Sequence, residues 1–245
     1  MEGRKLVLFV TGLCPQRCFY CPVSEQKYGK DDVYANEWKV SDPDDPKELI
    51  EEAKLTKATG AGFTGGDPLT RVDRVCAYIQ MLKKEFGKGF HTHLYTTLAL
   101  VSKERLQKLF DAGLDEIRIH PNLESDARWP LLTLVTAYPW KVGIEIPAIP
   151  GYEDRTKRLI DVVAKKVSFI NFNELELSDT ETYHYRLPEK GFERKDDISY
   201  AVRGSKAVGL RLVEYARGAG VAAHFCTARL KDAVQVKQRL LRRAE

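Results

Sequence analysis

The segment KLVLFVTGLCPQRCFYC, residues 5–21, joins a short apolar run to a loop that carries three cysteines. The apolar run at residues 5–10 predicts a first β-strand. Cys14, Cys18 and Cys21 follow it at spacings of four and three residues. Thiols this close in sequence indicate a metal or redox site at the end of the strand.

The rest of the chain alternates short apolar strands with amphipathic helices, which predicts a parallel sheet with helical crossovers. Further strands are predicted at residues 61–64, 91–95, 116–120, 142–146, 168–172 and 221–225. Helices are predicted at residues 46–60, 72–86, 102–113, 154–166, 198–217 and 232–243. The polar residues 24–44 predict a long surface insertion. Because six or seven units are too few for a closed eight-stranded barrel, we expect an α/β fold: a partial, open TIM-like (β/α)6 barrel with a short extra C-terminal strand and helix.

The composition permits one such domain. A chain of 245 residues with 43% hydrophobic content can bury a substantial core, and no linker or repeat divides it. We expect a single domain over residues 1–245, with its core at about 5–175 and a C-terminal extension at about 176–245. No apolar run approaches the ~20 residues that cross a bilayer, and the N-terminus has no signal-peptide cleavage site. We therefore expect a cytoplasmic protein, monomeric or weakly dimeric.

The cysteine usage favours a metal site over a disulfide framework. Five cysteines is an odd number, and three of them fall within eight residues. A cluster of four irons held by three thiolates keeps one iron open to a further ligand. Two glycine-rich turns after predicted strands could cradle that ligand, TGGDPL at residues 64–69 and IPGYED at residues 149–154. A structural zinc site is the alternative, although no fourth Cys or His follows at a compatible spacing.

Taken together, three motifs resemble the radical S-adenosylmethionine (SAM) superfamily over roughly residues 5–175: CxxxCxxC with an aromatic residue before its last cysteine, the Gly-Gly-acid turn and the IPG turn. The length and the PGxxD-like segment are most similar to the small pyruvate formate-lyase activating enzymes. One departure is Asp67, where the superfamily usually has Glu. The resemblance implies a [4Fe–4S] cluster that cleaves SAM reductively to a 5′-deoxyadenosyl radical, which abstracts hydrogen from a substrate.

The resemblance also implies roles for individual residues. Cys14, Cys18 and Cys21 would ligate the cluster. The positions it assigns to SAM are Tyr20 beside the cluster or the adenine, Gly65, Gly66 and Asp67 at the amino group, and Ile149, Pro150 and Gly151 along the adenine. A reductant such as ferredoxin or flavodoxin would supply the electron. The substrate stays open between a polypeptide, an RNA nucleoside and a metabolite, and a non-catalytic iron–sulfur electron-transfer or scaffold protein is the alternative to an enzyme.

Alternation within the predicted strands indicates a polar barrel interior. In EIRIH, residues 116–120, the two isoleucines face the helices, so Arg118 and His120 point inward. The same alternation turns Glu145 and Asn173 inward. We expect Arg118 to pair with Glu145, and His120 and Asn173 to contact the ribose, the SAM carboxylate or the substrate. A closed polar network without a ligand role is the alternative.

Two cysteines and the C-terminal helix lie outside these motifs. Cys76 lies on the apolar stripe of the second helix and is expected to be structural. Cys226 ends the last predicted strand and is the candidate catalytic residue, as a hydrogen-atom donor or an adduct site, with a buried inert thiol as the alternative. The basic segment 229–243 predicts an amphipathic helix with its apolar side on the domain. Its basic side could hold RNA phosphates or could simply be solvated.

Overall fold

The computed structural model describes residues 3–245, apart from the side chains of residues 231–233. The strands are β1 (Lys5–Phe9), β2 (Tyr34–Ala35), β3 (Trp38–Lys39), β4 (Gly60–Thr64), β5 (His91–Thr97), β6 (Glu116–His120), β7 (Lys141–Ala148), β8 (Phe169–Glu174) and β9 (Ala222–Cys226). The α-helices are α1 (Lys47–Leu55), α2 (Val72–Phe86), α3 (Lys103–Ala112), α4 (Leu132–Val135), α5 (Glu153–Val163), α6 (Ser205–Gly218) and α7 (Lys237–Ala244). A π-helix, Leu230–Val236, leads into α7. Within these residues, none of the helices is long and apolar enough to span a membrane.

All nine strands belong to one sheet in the order β3-β2-β1-β4-β5-β6-β7-β8-β9. Strand β1 and strands β4 to β9 run parallel to one another, while β2 pairs antiparallel with both β1 and β3. The two outermost strands, β3 and β9, do not pair with each other in the described chain, so the barrel is open. The predicted partial (β/α) barrel with an extra C-terminal strand is confirmed.

Alternate strand residues form the core between the sheet and the helices. Ile117 and Ile119 of β6 are fully buried, and Ile170 and Phe172 of β8 are at most 1% exposed. On β9, Phe225 packs against Gly209 of α6, where an added Cβ would lie 2.2 Å from the ring. The outward face is thus apolar, and the other face of the sheet lines the barrel interior.

Two segments differ from their predicted structures. Within the predicted surface insertion 24–44, β2 and β3 extend the sheet past β1. Asn36, between them, accepts a hydrogen bond from the Val7 backbone N–H at 2.9 Å, which fastens the hairpin to β1. The helix predicted from residue 198 begins at Ser205, because Gly204 (φ +83°) interrupts the chain before it. Ile198 itself is 97% exposed.

The C-terminal helix α7 packs through its arginines. Arg239 is 7% exposed and forms an ion pair with Glu37. Arg243 forms an ion pair with Glu52 at 2.8 Å. Because both guanidinium groups already pair with carboxylates, and Arg239 is buried, fewer cations of the basic face predicted at residues 229–243 are available to RNA phosphates.

The apolar side of α7 points to solvent, which corrects the predicted orientation. Leu240 is 42% exposed and Leu241 is 48% exposed. The predicted amphipathic segment also includes residues 231–233, whose side chains lie outside the described part of the chain. Long-range ion pairs, which sequence periodicity does not reveal, decide which side of this helix is buried.

Candidate metal centre

The cysteine loop follows β1 at the carboxyl end of the parallel sheet. Cys14, Cys18 and Cys21 are partly buried, and none forms a disulfide. Burial raises the pKa of the Cys14 thiol to about 12 and that of Cys18 to about 11, and it also raises the pKa of Cys21. A nearby metal reverses this effect, because it stabilises the thiolate that binds it. The loop thus holds its thiols protonated until a cationic group is present.

The Gly-Gly-Asp turn after β4 is hydrogen-bonded to the base of this loop. Gly66 N–H donates to the Thr11 carbonyl at 2.7 Å, and Asp67 N–H donates to the Leu13 carbonyl at 2.8 Å. An added Cβ on Gly65 would lie 2.4 Å from the Thr11 carbonyl oxygen, and one on Gly66 would lie 2.4 Å from that of Leu13. The glycines are therefore needed because two backbone segments meet here without room for a side chain.

The Asp67 side chain is fully buried beneath the turn. Its Oδ1 accepts from Thr96 Oγ1 at 2.7 Å and Leu69 N at 3.1 Å, and its Oδ2 accepts from Thr97 Oγ1 at 2.8 Å and Thr97 N at 3.2 Å. All four of these donors are protein groups, and the contact of this carboxylate with the SAM amino group stays a prediction. In the described residues no donor reaches the carbonyl oxygens of Gly65 and Gly66, which are the open acceptors of the turn.

Tyr20 connects the cysteine loop to the barrel strands through His120. The Tyr20 hydroxyl lies 2.8 Å from His120 Nε2, and His120 Nδ1 lies 2.9 Å from the Glu145 carbonyl oxygen. Because a carbonyl only accepts, Nδ1 carries the proton and Nε2 accepts from Tyr20. Burial lowers the pKa of His120, which keeps the ring neutral. Both ring nitrogens contact protein groups, and the contact of His120 with SAM stays a prediction.

The barrel interior holds a polar network centred on Glu145. The predicted pair of Arg118 and Glu145 is confirmed, with Nη1 and Oε2 3.1 Å apart. Arg118 Nε also lies 2.6 Å from Glu116 Oε1. Asn171 and Asn173 donate to the Glu145 carboxylate at 3.1 and 2.9 Å. These groups satisfy one another, which favours the closed polar network over direct contact of Arg118, Glu145 or Asn173 with SAM.

We expect Arg118→Met to lower the free energy of unfolding by about 2 kcal/mol, because two carboxylates lose their cation in a partly buried site. SAM affinity should stay within about twofold, since the network is closed. Urea unfolding and equilibrium dialysis with SAM measure the two quantities. Arg203→Met is the matched control, because that side chain is 71% exposed. Lost SAM binding at unchanged stability would instead make Arg118 a ligand residue.

The comparison with known proteins agrees with this geometry. The family model described as the Radical SAM superfamily matches residues 8–128. A protein of Methanocaldococcus jannaschii, named provisionally as a glycyl-radical enzyme activating enzyme, is 42% identical over 254 residues, covering 100% of this chain and 66% of that protein. The chain belongs to the radical SAM superfamily. Its cofactors are those of the superfamily, a [4Fe–4S] cluster and SAM.

Other known proteins are similar to part of the chain or to its fold. A PqqA peptide cyclase of Bradyrhizobium diazoefficiens is 34% identical over 116 residues, which is 46% of this chain and 27% of the cyclase. The structure of methylornithine synthase superimposes with a TM-score of 0.53 at 14% identity and covers 92% of this chain and 72% of the synthase. The structure of a radical SAM methyltransferase of Kitasatospora setae, solved with tryptophan and a SAM analogue, superimposes with a TM-score of 0.51 at 13% identity. The match covers 77% of this chain and 39% of the methyltransferase. These structures support the fold alone.

The residues present fit a radical SAM cluster site in their donor chemistry. Three thiols on one loop are the ligands that iron–sulfur clusters take from proteins, and the loop is held by a turn that has no space for a Cβ. Among the described residues, no three His, Cys, Asp or Glu side chains converge as the ligands of one metal ion would. The loop therefore offers the donor set without a preformed single-ion site.

The predicted adenine contacts and Cys226 have different outcomes in this radical SAM fold. Ile149 is fully buried in the hydrophobic core, and its contact with the adenine stays a prediction. Pro150 is partly exposed and Gly151 is exposed with φ +84°, so this part of the turn stays a candidate. Cys226 lies opposite Asn173 in the register of β8 and β9, which places both on the interior face.

Sequence reasoning missed Phe19, the first of the two aromatic residues between Cys18 and Cys21. It is 5% exposed, and its ring centroid lies 5.6 Å from that of Tyr152 and 6.4 Å from that of Phe192. The Arg186 N–H donates to the Phe19 carbonyl at 2.8 Å. Phe19 thus fastens the cysteine loop to the IPG turn and to the C-terminal extension. An apolar residue within a metal-binding loop was the available signal.

The C-terminal extension also covers the loop after Cys21. Ser178 Oγ donates to the Pro22 carbonyl at 3.3 Å, and Thr180 Oγ1 donates to the Val23 carbonyl at 3.0 Å. We name residues 178–186 the strap. Because the strap hydrogen-bonds to this loop and Phe192 packs against Phe19 within it, the extension belongs to the site.

Proposed function

We propose that this protein is an enzyme that cleaves SAM reductively at a [4Fe–4S] cluster and removes a hydrogen atom from a substrate. The observation that carries the proposal is the close junction between the three-cysteine loop and the Gly-Gly turn, where added Cβ atoms would lie 2.4 Å from loop carbonyls. When bound, the cluster supplies the electron that breaks a sulfur–carbon bond of SAM, and the resulting 5′-deoxyadenosyl radical abstracts hydrogen.

The chain's own residues bind and orient the reactants. The open carbonyl oxygens of Gly65 and Gly66 would accept hydrogen bonds from the SAM amino group, while Asp67 holds the turn from below. Pro150 and Gly151 would flank the adenine. Tyr20, fixed by its hydrogen bond to His120 at 2.8 Å, would place its ring beside the cluster.

The substrate class that we favour is a polypeptide. The support is the name of the 42% identical relative, an enzyme that activates another protein. RNA is less favoured, because arginines of α7 pair with Glu37 and Glu52. A reductant such as ferredoxin or flavodoxin would deliver the electron. The cytoplasm suits a cluster whose ligands must stay reduced.

Cys226 acts as a hydrogen-atom donor only if the substrate regains hydrogen. In that case its S–H bond breaks while a C–H bond forms, and the thiyl radical is reduced by one electron from the reductant and one proton from solvent. A substrate that retains its radical needs no such donor. Because either event follows SAM cleavage, we expect Cys226→Ala to leave substrate-free release of 5′-deoxyadenosine within about twofold. A larger loss would place the thiol in the cleavage step, and lost product with normal cleavage would identify it as the donor.

Anaerobic reconstitution tests the function itself. The purified protein is incubated with iron and sulfide, reduced with dithionite and mixed with SAM, and 5′-deoxyadenosine is measured by chromatography. Release above a protein-free control supports the enzyme. A cluster that assembles and reduces while the SAM pool stays intact supports the scaffold or electron-transfer alternative.

A further inference from the structure

His184, in the strap, is a buried imidazole without a hydrogen-bond partner. His184 is 6% exposed, and neither its Nδ1 nor its Nε2 has a hydrogen-bond partner. Its neighbours are aromatic rings: Tyr28 at 4.4 Å and Tyr183 at 5.3 Å between centroids. Buried polar groups in native proteins nearly always have a hydrogen-bond partner, so such a group needs an explanation.

The position of His184 relates it to the cysteine loop. Tyr28, against which it packs, belongs to a turn whose Gly29 N–H donates to the Gly12 carbonyl at 2.9 Å, two residues before Cys14. On the other arm of the loop, the strap is bonded to the carbonyls of Pro22 and Val23 after Cys21. His184 is therefore held between the two arms of the loop that carries the cluster ligands.

The base of this arrangement is rigid. A Cβ on Gly12 would lie 1.7 Å from the Lys27 carbonyl oxygen, so the turn that carries Tyr28 is in direct backbone contact with the loop. Arg17, between Cys14 and Cys18, lies over the Tyr183 ring at 5.3 Å. The strap thus contacts the loop next to His184, through the Tyr183 ring and through the hydrogen bonds of Ser178 and Thr180.

We propose that His184 donates an N–H hydrogen bond to a sulfur atom of the bound cluster or of one of its cysteine ligands. The inference rests on the proposed function only in requiring that the loop binds a cluster. Whatever its tautomer, an imidazole carries at least one N–H. Cluster sulfur supplies the acceptor that the protein itself does not offer to this side chain. His184 is thereby a positioning and tuning residue, and it does not contact the substrate.

Such a bond changes the electron affinity of the cluster. Hydrogen bonds to sulfur stabilise the more negative, reduced state and raise the reduction potential. Without the bond, the cluster is harder to reduce. We therefore expect His184→Phe to lower the reduced-to-oxidised ratio at a fixed potential about tenfold, which is ~59 mV for a one-electron couple.

An anaerobic redox titration of the reconstituted protein, followed by electron paramagnetic resonance, measures this potential. His184→Gln keeps an N–H donor and should restore much of the shift, whereas a purely structural role of the ring would not distinguish Gln from Leu. His224→Phe is the matched control, because His224 is an exposed histidine on β9 and should leave the potential unchanged.

The outcomes separate this inference from the proposed function. If the wild-type protein assembles no cluster, the proposed function fails before His184 is tested. If all variants assemble a cluster and the potentials of His184→Phe and wild type agree, the function stands and the hydrogen bond is wrong. Equal shifts in the Phe, Leu and Gln variants would also overturn it, because the effect would then come from packing.

Discussion

Replacing Cys18 by alanine is expected to abolish cluster assembly and to reduce reductive SAM cleavage by more than about 100-fold. Removing a residue that only hydrogen-bonds to a metal ligand already lowers metal affinity or activity about 10–100-fold, and Cys18 is itself a ligand candidate. Cys18 is the middle of the three thiols, so its loss leaves two ligands on the loop. Iron and sulfide per protein, together with release of 5′-deoxyadenosine, measure the effect after anaerobic reconstitution.

Cys76→Ala is the control for this experiment. Cys76 lies on α2 and packs partly buried against the core, away from the loop. Its replacement should leave iron content and SAM cleavage unchanged. A Cys18→Ala protein that keeps a full complement of iron and sulfide would contradict the three-thiol site, and binding of one zinc ion by the wild-type loop would favour the structural-zinc alternative.

The sheet and its polar interior could be predicted because they follow from local alternation. In β6, the alternation of isoleucine with charged residues separates the helix-facing side from the interior, and the pair of Arg118 and Glu145 follows from neighbouring parallel strands. The cysteine spacing likewise needs no tertiary information. These features are properties of single strands or of one loop.

What could not be predicted depends on contacts between distant segments. Asp67 has the sequence context of an exposed turn residue, but its carboxylate accepts from Thr96 and Thr97 of the next strand. The orientation of α7 is decided by acidic residues about two hundred positions earlier in the chain, Glu37 and Glu52. No periodicity within a segment carries this information.

The strap shows the same limit for the candidate site. Residues 178–186 lie in a polar stretch without regular alternation, and sequence reasoning placed them in an extension beyond the core. Their hydrogen bonds to the cysteine loop span more than 150 positions. A site residue such as His184 could be identified only once its burial without a partner was known.

Gly66→Ala is expected to lower the free energy of unfolding by about 2–3 kcal/mol, because forcing extra atoms into a packed site displaces the backbone. The added Cβ would lie 2.4 Å from the Leu13 carbonyl oxygen, 2.7 Å from its carbon and 2.9 Å from the Gly12 carbonyl carbon. All three atoms are backbone, so relief requires the cysteine loop to move. We therefore also expect iron incorporation to fall by more than about half, as for a ligand-positioning contact.

The experiment is first done without SAM, because docking of the turn on the cysteine loop is then measured separately from binding of SAM by the turn. Urea unfolding and iron content report docking of the turn on the loop, while SAM affinity is measured afterwards. Gly89→Ala is the matched control, since nothing lies within 4 Å of an added Cβ there, and its stability should change by less than about 0.5 kcal/mol. If Gly66→Ala assembled a full cluster at wild-type stability and lost only SAM affinity, the turn would serve the cofactor alone. Reduced iron incorporation in the absence of SAM would mean that the same glycine shapes the cluster site before the cofactor binds, because the loop that carries the ligands rests on it.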